Sequence, residues 1–193
     1  MASNGVVTEK VTGLNPSGLV IDGSSYSYVA DSSGSNVLRY NPGFSSIPSI
    51  SVAGQPVGLG YDSATNAVFI TRYSGGNQAL YRLSTTANPA TAVPYATSTY
   101  FNRPNAIAVR TSPLEIYVVN TGGNSNDRSI LKISNNGATV ETYLSASNPS
   151  HKLCNPMGIA TDGANLYIAN SSCSDGYSPS NTSYANSLLK VAF

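Results

Sequence analysis

PSGLVID (residues 16–22) opens on a proline and closes on an aspartate, and three later stretches repeat its plan: PVGLGYD (56–62), PNAIAVR (104–110) and PMGIATD (156–162). The prolines stand 40, 48 and 52 residues apart. Behind each comes one variable residue, then Gly18, Gly58, Ala106 or Gly158, then Leu19, Leu59, Ile107 or Ile159. Recurrence at this period marks an architecture of like units. The small third residue reads as packing, because a position without a bulky side chain lets backbones crowd together.

A second short segment follows each heptad: YVAD (28–31), FITR (69–72), YVVN (117–120) and YIAN (167–170). A third has an aliphatic centre: NVLRY (36–40), ALYRL (79–83), SILKI (129–133) and SLLKV (187–191). A looser fourth follows in the first three units, SISVA (49–53), TAVPYA (91–96) and ATVETYL (138–144). Pro94 inside it marks an edge strand, where a missing donor costs little. Segments this short, ending in Gly, Asn, Ser or Pro, read as antiparallel strands and turns. No stretch keeps a helical period.

The fourth unit stops after its third strand, at Phe193, while GVVTEKV (5–11) precedes the first heptad. It reads as the missing fourth strand, displaced to the amino end and completing the last sheet. The expected fold is all-β, a β-propeller of four four-stranded antiparallel blades in one domain, 1–193. The repeats fall at about 14–53, 54–101, 102–153 and 154–193, with 5–11 completing the last. A β-sandwich with accidental similarity is the competing reading, and four matches in register argue against it.

Composition narrows the function. Ten basic and nine acidic residues leave a net charge of +1, and only 10% of the chain is charged, against roughly 25% in ordinary soluble domains. The cations are scattered singly, so no phosphate-facing patch for nucleic acid is expected. No apolar run approaches the ~20 residues of a membrane span, and MASNGVVTEK shows no secretion signal. Thirteen tyrosines and no tryptophan suit half-buried strand positions.

The units resemble the NHL repeat and the related lactonase-like and lyase-like propellers, most closely in PSGLVID…YVADSSGSNVLRY and PMGIATDGANLYIANSS. The resemblance runs from about residue 14 to 191 and carries fold far better than function. It implies six or seven blades, where four are read here. The metal-dependent lactonase-like relatives hold a divalent ion over the axis, with some ligands at the variable position after the strand-opening proline. That position holds Ser17, Val57, Asn105 and Met157. Only Asn105 keeps a ligand type, whereas a hard cation wants six to eight oxygens, so no metal or other cofactor is expected. The lyase-like relatives use several histidines with zinc. This chain has His151 alone, and with Cys154 it makes at most two of the three or four ligands zinc needs. No GxSxG elbow occurs, and SGGN (74–77) and TGGN (121–124) read as turns.

Two sets of polar residues repeat. Asp22, Asp62, Arg110 and Asp162 close the heptads and are expected to make local turn hydrogen bonds. Asp31, Arg72, Asn120 and Asn170 end the second strands, at the face where the heptads begin. One reading makes them loop anchors. The other makes them a channel-mouth site with Ser17, Asn105 and Tyr73, suited to sugars or peptide backbone. The loops on that face differ in length, and SSCSDGYSPSNTSYANS (171–187) is the longest. Its Tyr177 and Tyr184, among small polar residues, resemble an adaptable recognition loop.

Cys154 precedes the inner strand of the fourth unit and Cys173 follows its second strand, so antiparallel pairing is expected to bring them together as a disulfide. A bridge implies an extracellular or other oxidising compartment. Asn170 and Asn181 head glycosylation triplets that point the same way. The expected function is a non-catalytic binding module for a protein or carbohydrate ligand, monomeric or homodimeric. The alternatives are a lactonase- or lyase-type enzyme with a degenerate metal site, and an assembly protein whose two chains form an eight-bladed ring.

Overall fold

The heptads become inner strands because proline, lacking an N–H, starts a strand without losing a ladder bond. The computed structural model describes residues 11–74, 79–86, 90–122, 128–171 and 186–193. The first sheet is β1 (Pro16–Ile21), β2 (Ser27–Asp31), β3 (Asn36–Tyr40) and β4 (Ser46–Ser51), paired in that order. The second is β5 (Pro56–Asp62), β6 (Ala67–Arg72), β7 (Ala79–Ser84) and β8 (Ala92–Thr97). The third is β9 (Pro104–Arg110), β10 (Glu115–Asn120), β11 (Ser129–Ser134) and β12 (Thr139–Ser145). The fourth, among the described residues, has three strands: β13 (Asn155–Thr161), β14 (Asn165–Ser171) and β15 (Ser187–Ala192). All neighbours within a sheet are antiparallel.

The expected completion of the fourth sheet by residues 5–11 lies almost wholly outside the described residues; Val11 is described and belongs to no strand. The outer strand of the first sheet starts at Ser46, three residues before the expected SISVA. Pro48 falls inside this strand, where the ladder to β3 shifts register between Val37 and Arg39 and takes the proline in a bulge. Pro94 is accommodated likewise, beside a shift between Leu80 and Tyr81. Bulges on edge strands are where proline and the sheet agree.

The sheets pack in sequence through their inner strands, β1 on β5, β5 on β9 and β9 on β13. No comparable contact joins β13 to β1 among the described residues. Three apolar clusters fill the joints. Tyr28, Val37 and Ile50 of the first sheet meet Leu59, Val68 and Ile70 of the second. Phe69 and Leu80 of the second meet Ile107, Ile116 and Val118 of the third. Tyr117 and Ile130 of the third meet Leu166 and Ile168 of the fourth.

Glycine sets how closely these joints close. A Cβ on Gly18 would stand 2.2 Å from the Val57 carbonyl oxygen, and one on Gly58 2.1 Å from that of Asn105. Each glycine thus receives a backbone carbonyl from the variable position of the next inner strand. Thr71 adds to the second contact: its hydroxyl accepts from the Gly58 N–H at 2.8 Å and donates to the Asn105 carbonyl.

The heptad-closing residues make the turn bonds expected of them. Asp22 accepts from the Ser24 and Tyr26 N–H groups and from the Tyr28 hydroxyl. Asp162 does the same with Ala164, Asn165 and Tyr167. In the second sheet Phe69 stands where those tyrosines are, and the Thr65 hydroxyl bonds Asp62 instead. In the third the heptad closes on Arg110, so Glu115 supplies the carboxylate. It pairs with Arg110 at 2.9 Å and Lys132 at 2.7 Å and accepts from Tyr117 at 2.9 Å. Arg110 also donates to the Gly163 carbonyl at 3.1 Å, which ties the third sheet to the fourth.

Of the expected cysteine pair, Cys173 lies outside the described residues. Cys154 is buried and disulfide-bonded, and no described cysteine is free.

Two outcomes follow. Gly58→Ala drives a methyl into the Asn105 carbonyl and should lower the unfolding free energy by about 2–3 kcal/mol; an unchanged urea midpoint would contradict the close-approach account. Burial alone pushes the Glu115 carboxyl up, but hydrogen bonds from Lys132, Arg110 and Tyr117 together outweigh it and hold the carboxyl below its ordinary value. A carboxyl depressed in the folded state contributes stability above its unfolded pKa, and loses it as pH falls through the folded value. Urea midpoints measured from pH 7 down to pH 3 should fall below about pH 4.5, with a shallower fall in Glu115→Gln. Parallel curves would show that Glu115 does not carry the effect.

Candidate functional site

All four inner strands shift register directly after the opening proline: between Pro16 and Gly18, Pro56 and Leu59, opposite Val118 to Asn120 for Pro104, and between Pro156 and Gly158. A bulge re-aims the side chain it carries. Ser17, Val57, Asn105 and Met157 occupy these bulges, so the variable position is the one the backbone turns out of the ladder.

The second-strand set is held beside these bulges by contacts of one kind. Asp31 accepts from the Asn15 N–H at 3.3 Å and from Ser33 Oγ at 2.9 Å. Burial raises its pKa, but these bonds and the backbone N–H groups of Gly34 and Ser33 outweigh it and keep the carboxyl low. Arg72 donates to the Ala53 carbonyl at 2.6 Å and to the Tyr81 hydroxyl. Asn120 accepts from the Asn102 N–H and donates to the Tyr100 carbonyl. Asn170 accepts from the Cys154 and Asn155 N–H groups and donates to the Lys152 carbonyl. Each side chain is buried and clamps the linker that enters its own inner strand. Asn170 would have to leave these bonds to be glycosylated. Ser17 Oγ donates to the Pro56 carbonyl at 3.1 Å and lies 3.3 Å from that of Val57. Tyr177, Tyr184 and Asn181 lie outside the described residues.

Tyr73 and Asn105 do come together. They line a cavity of about 290 Å³ that reaches from the end of the second sheet, across the third, to the start of the fourth. Thr121, Gly122, Arg103 and Arg128 complete its third-sheet side, and Asn155 and Met157 its fourth. The Tyr73 N–H donates to the Gln55 carbonyl, which fixes the ring's root. Arg103 has φ +51°, a conformation uncommon for residues with a side chain. Its carbonyl is locked by the Thr121 N–H at 3.2 Å and Thr121 Oγ1 at 2.9 Å. The Arg103 guanidinium stands 5.9 Å from the centre of the Tyr73 ring, within the range of cation–π attraction. Arg128 donates to the Cys154 carbonyl at 3.4 Å, across the joint between the third and fourth sheets. Two guanidinium groups, amides, a threonine hydroxyl and a phenol thus converge, and among the described residues no carboxylate lines the cavity.

Sequence reasoning passed over both arginines and Asn155. One signal existed: the residue before each heptad proline is polar in all four units, Asn15, Gln55, Arg103 and Asn155. A second cavity, of about 280 Å³, lies on the rim of the third sheet among Tyr100, Asn102, Asn120 and Ser145.

The metal implied by the family resemblance does not fit these residues. Val57 and Met157 carry no side-chain oxygen and the Ser17 hydroxyl bonds main chain. Asn105 alone is left beside two cations, where a hard divalent ion wants several charged oxygens. Among the described residues no three of His, Cys, Asp and Glu are grouped to hold a metal. His151 accepts from the Ser145 N–H at 2.9 Å through Nδ1, and its Nε2 lies 3.1 Å from the Asn148 amide. Among the described residues no helix is long and apolar enough to cross a membrane.

No protein-family model matches the chain, and no curated protein sequence does. Solved structures do. Selenomethionine-substituted virginiamycin B lyase from Staphylococcus aureus aligns with a TM-score of 0.67 at 16% identity, over 95% of this chain and 53% of that one. Regucalcin, a calcium-binding protein from Agrobacterium tumefaciens, aligns at 0.64 and 14%, over 96% and 56%. A gluconolactonase from Xanthomonas campestris aligns at 0.61 and 11%, over 80% and 54%. This chain spans about half the length of each. At these identities the likeness is one of fold, that of the lactonase-like and lyase-like propellers.

Proposed function

We propose that this chain is a non-catalytic binding module whose cavity between Tyr73, Arg103, Asn105 and Arg128 takes an acidic oligosaccharide. The observation behind this reading is the lining itself: two guanidinium groups and a ring of neutral donors, with no acid among the described residues. Arginine pairs with carboxylates in planar, two-bonded geometry, while amides and hydroxyls suit sugar hydroxyls. A peptide ligand would want apolar subpockets for its side chains, and among the described lining residues Met157 alone is aliphatic. The lactonase- or lyase-type alternative finds no support in the donor set, which lacks both a hard-cation cage and a free base.

Calorimetric titration with a galacturonate trisaccharide and with a neutral trisaccharide of the same length tests this. The acidic sugar should bind, more weakly as salt rises. Arg103→Ala should weaken it about tenfold, a loss near 1.4 kcal/mol, and should leave any neutral-sugar binding little changed. Equal affinity for both sugars, or binding of neither, would overturn the proposal.

A further inference from the structure

The interior joints follow one rule. Each of the first three sheets turns toward its successor a face that carries the small third heptad residue, Gly18, Gly58 or Ala106, and an aromatic of the second strand, Tyr28, Phe69 or Tyr117. The successor meets it with a cross-strand row of larger apolar side chains. Those rows are Leu59–Ile70–Tyr81, Ile107–Val118–Leu131 and Ile159–Ile168–Leu189.

Both halves of this joint are left over at the two ends. The fourth sheet turns outward Gly158, Ala160 and Tyr167, in the register of the small-and-aromatic face. The first turns outward the row Leu19–Val29–Leu38. Leu188 is 71% exposed, whereas Val37, Leu80 and Ile130, its counterparts in register, are 0% exposed. Leu19 is 61% exposed, against 8% for Leu59 and 9% for Ile107.

Gly158 sharpens the point. At Gly18 and Gly58 a Cβ would strike the carbonyl of the next inner strand, but at Gly158 the nearest atom is the Ala169 Cβ at 3.6 Å, ordinary contact. Among the described residues no backbone carbonyl enters this notch. The group that would enter it under the interior rule is the carbonyl of the variable position on the next inner strand, and Ser17 presents that position at the open face of the first sheet.

We propose that a second copy of this chain supplies the missing half. The fourth sheet of each copy docks on the first sheet of the other, the Ser17 carbonyl enters the notch at Gly158, and two chains close one ring of eight sheets. Three observations favour a second copy over self-closure or an unrelated partner. The two faces complement each other by the rule already used three times within the chain. Among the described residues the strands β1 and β13 make no contact comparable to those of the interior joints. The chain aligns along nearly its whole length with about half of a larger chain, so its four sheets share an arrangement found within a larger fold. Propellers of up to eight blades are ordinary, and a head-to-tail contact that closes after two copies is finite.

Sedimentation velocity on the purified chain, from low to high micromolar concentration, tests this. A species of twice the 20.0 kDa chain mass is expected. Gly158→Val should abolish it across that range and leave the circular dichroism unchanged, because the space beside Gly158 in a single copy is open and β-branched residues suit strands. Leu19→Glu, on the opposite face, should also give a monomer. An equimolar mixture of the two variants should recover a dimer, since each keeps the face the other lacks. A monomeric parent chain, a dimer that survives Gly158→Val, an open-ended polymer series, or failure of the mixture to pair would each overturn the proposal.

Discussion

The structure depends on how close one inner strand can come to the next. At Gly18 and Gly58 a carbonyl oxygen from the neighbouring strand occupies the place of a side chain. That distance sets where the outer strands lie, and therefore which aliphatic rows meet. Tyr28, Phe69 and Tyr117 are fully enclosed because the close approach of the inner strands brings the next sheet down over them. A larger residue at the inner position would push the sheets apart along their whole width and open every layer behind it. Tight packing of this kind leaves little slack for such a shift.

Much of this could be read from the chain. The Pro-x-Gly heptads and the period-two segments after them placed the inner three strands of every sheet, because proline, small residue and alternation all point one way. The outer strand was less legible: Pro94 marks an edge strand, but the start of β4 at Ser46 and the bulges beside Pro48 and Pro94 depend on the partner strand. The turn carboxylates were legible because Asp followed by Gly or Ser bonds its own backbone. Glu115 was not, since its role exists only after Arg110 displaces the usual aspartate.

The site was read less fully, for a reason of length and direction. Asn105 and Tyr73 lie close to the ladder, so strand register alone puts them at one end of the molecule. Arg103 and Arg128 reach the cavity through long side chains rooted in linkers, and where a guanidinium lands depends on the linker's path. That path includes a left-handed residue at Arg103 itself, which no alternation pattern foretells. Asp31, Arg72, Asn120 and Asn170 read from the sequence either as loop anchors or as a ring of functional groups, and each of them bonds the main chain of the linker before its own inner strand.

Those four clamps differ in polarity. Asp31 only accepts, Arg72 only donates, and Asn120 and Asn170 do both. The linker entering each sheet must therefore expose an amide hydrogen in the first unit, an oxygen in the second, and one of each in the last two. Although the units share a plan, they are not interchangeable parts. Recombination that moved a linker without its clamp would set acceptor against acceptor or donor against donor, so linker and clamp must be inherited as a pair, across the strands that separate them.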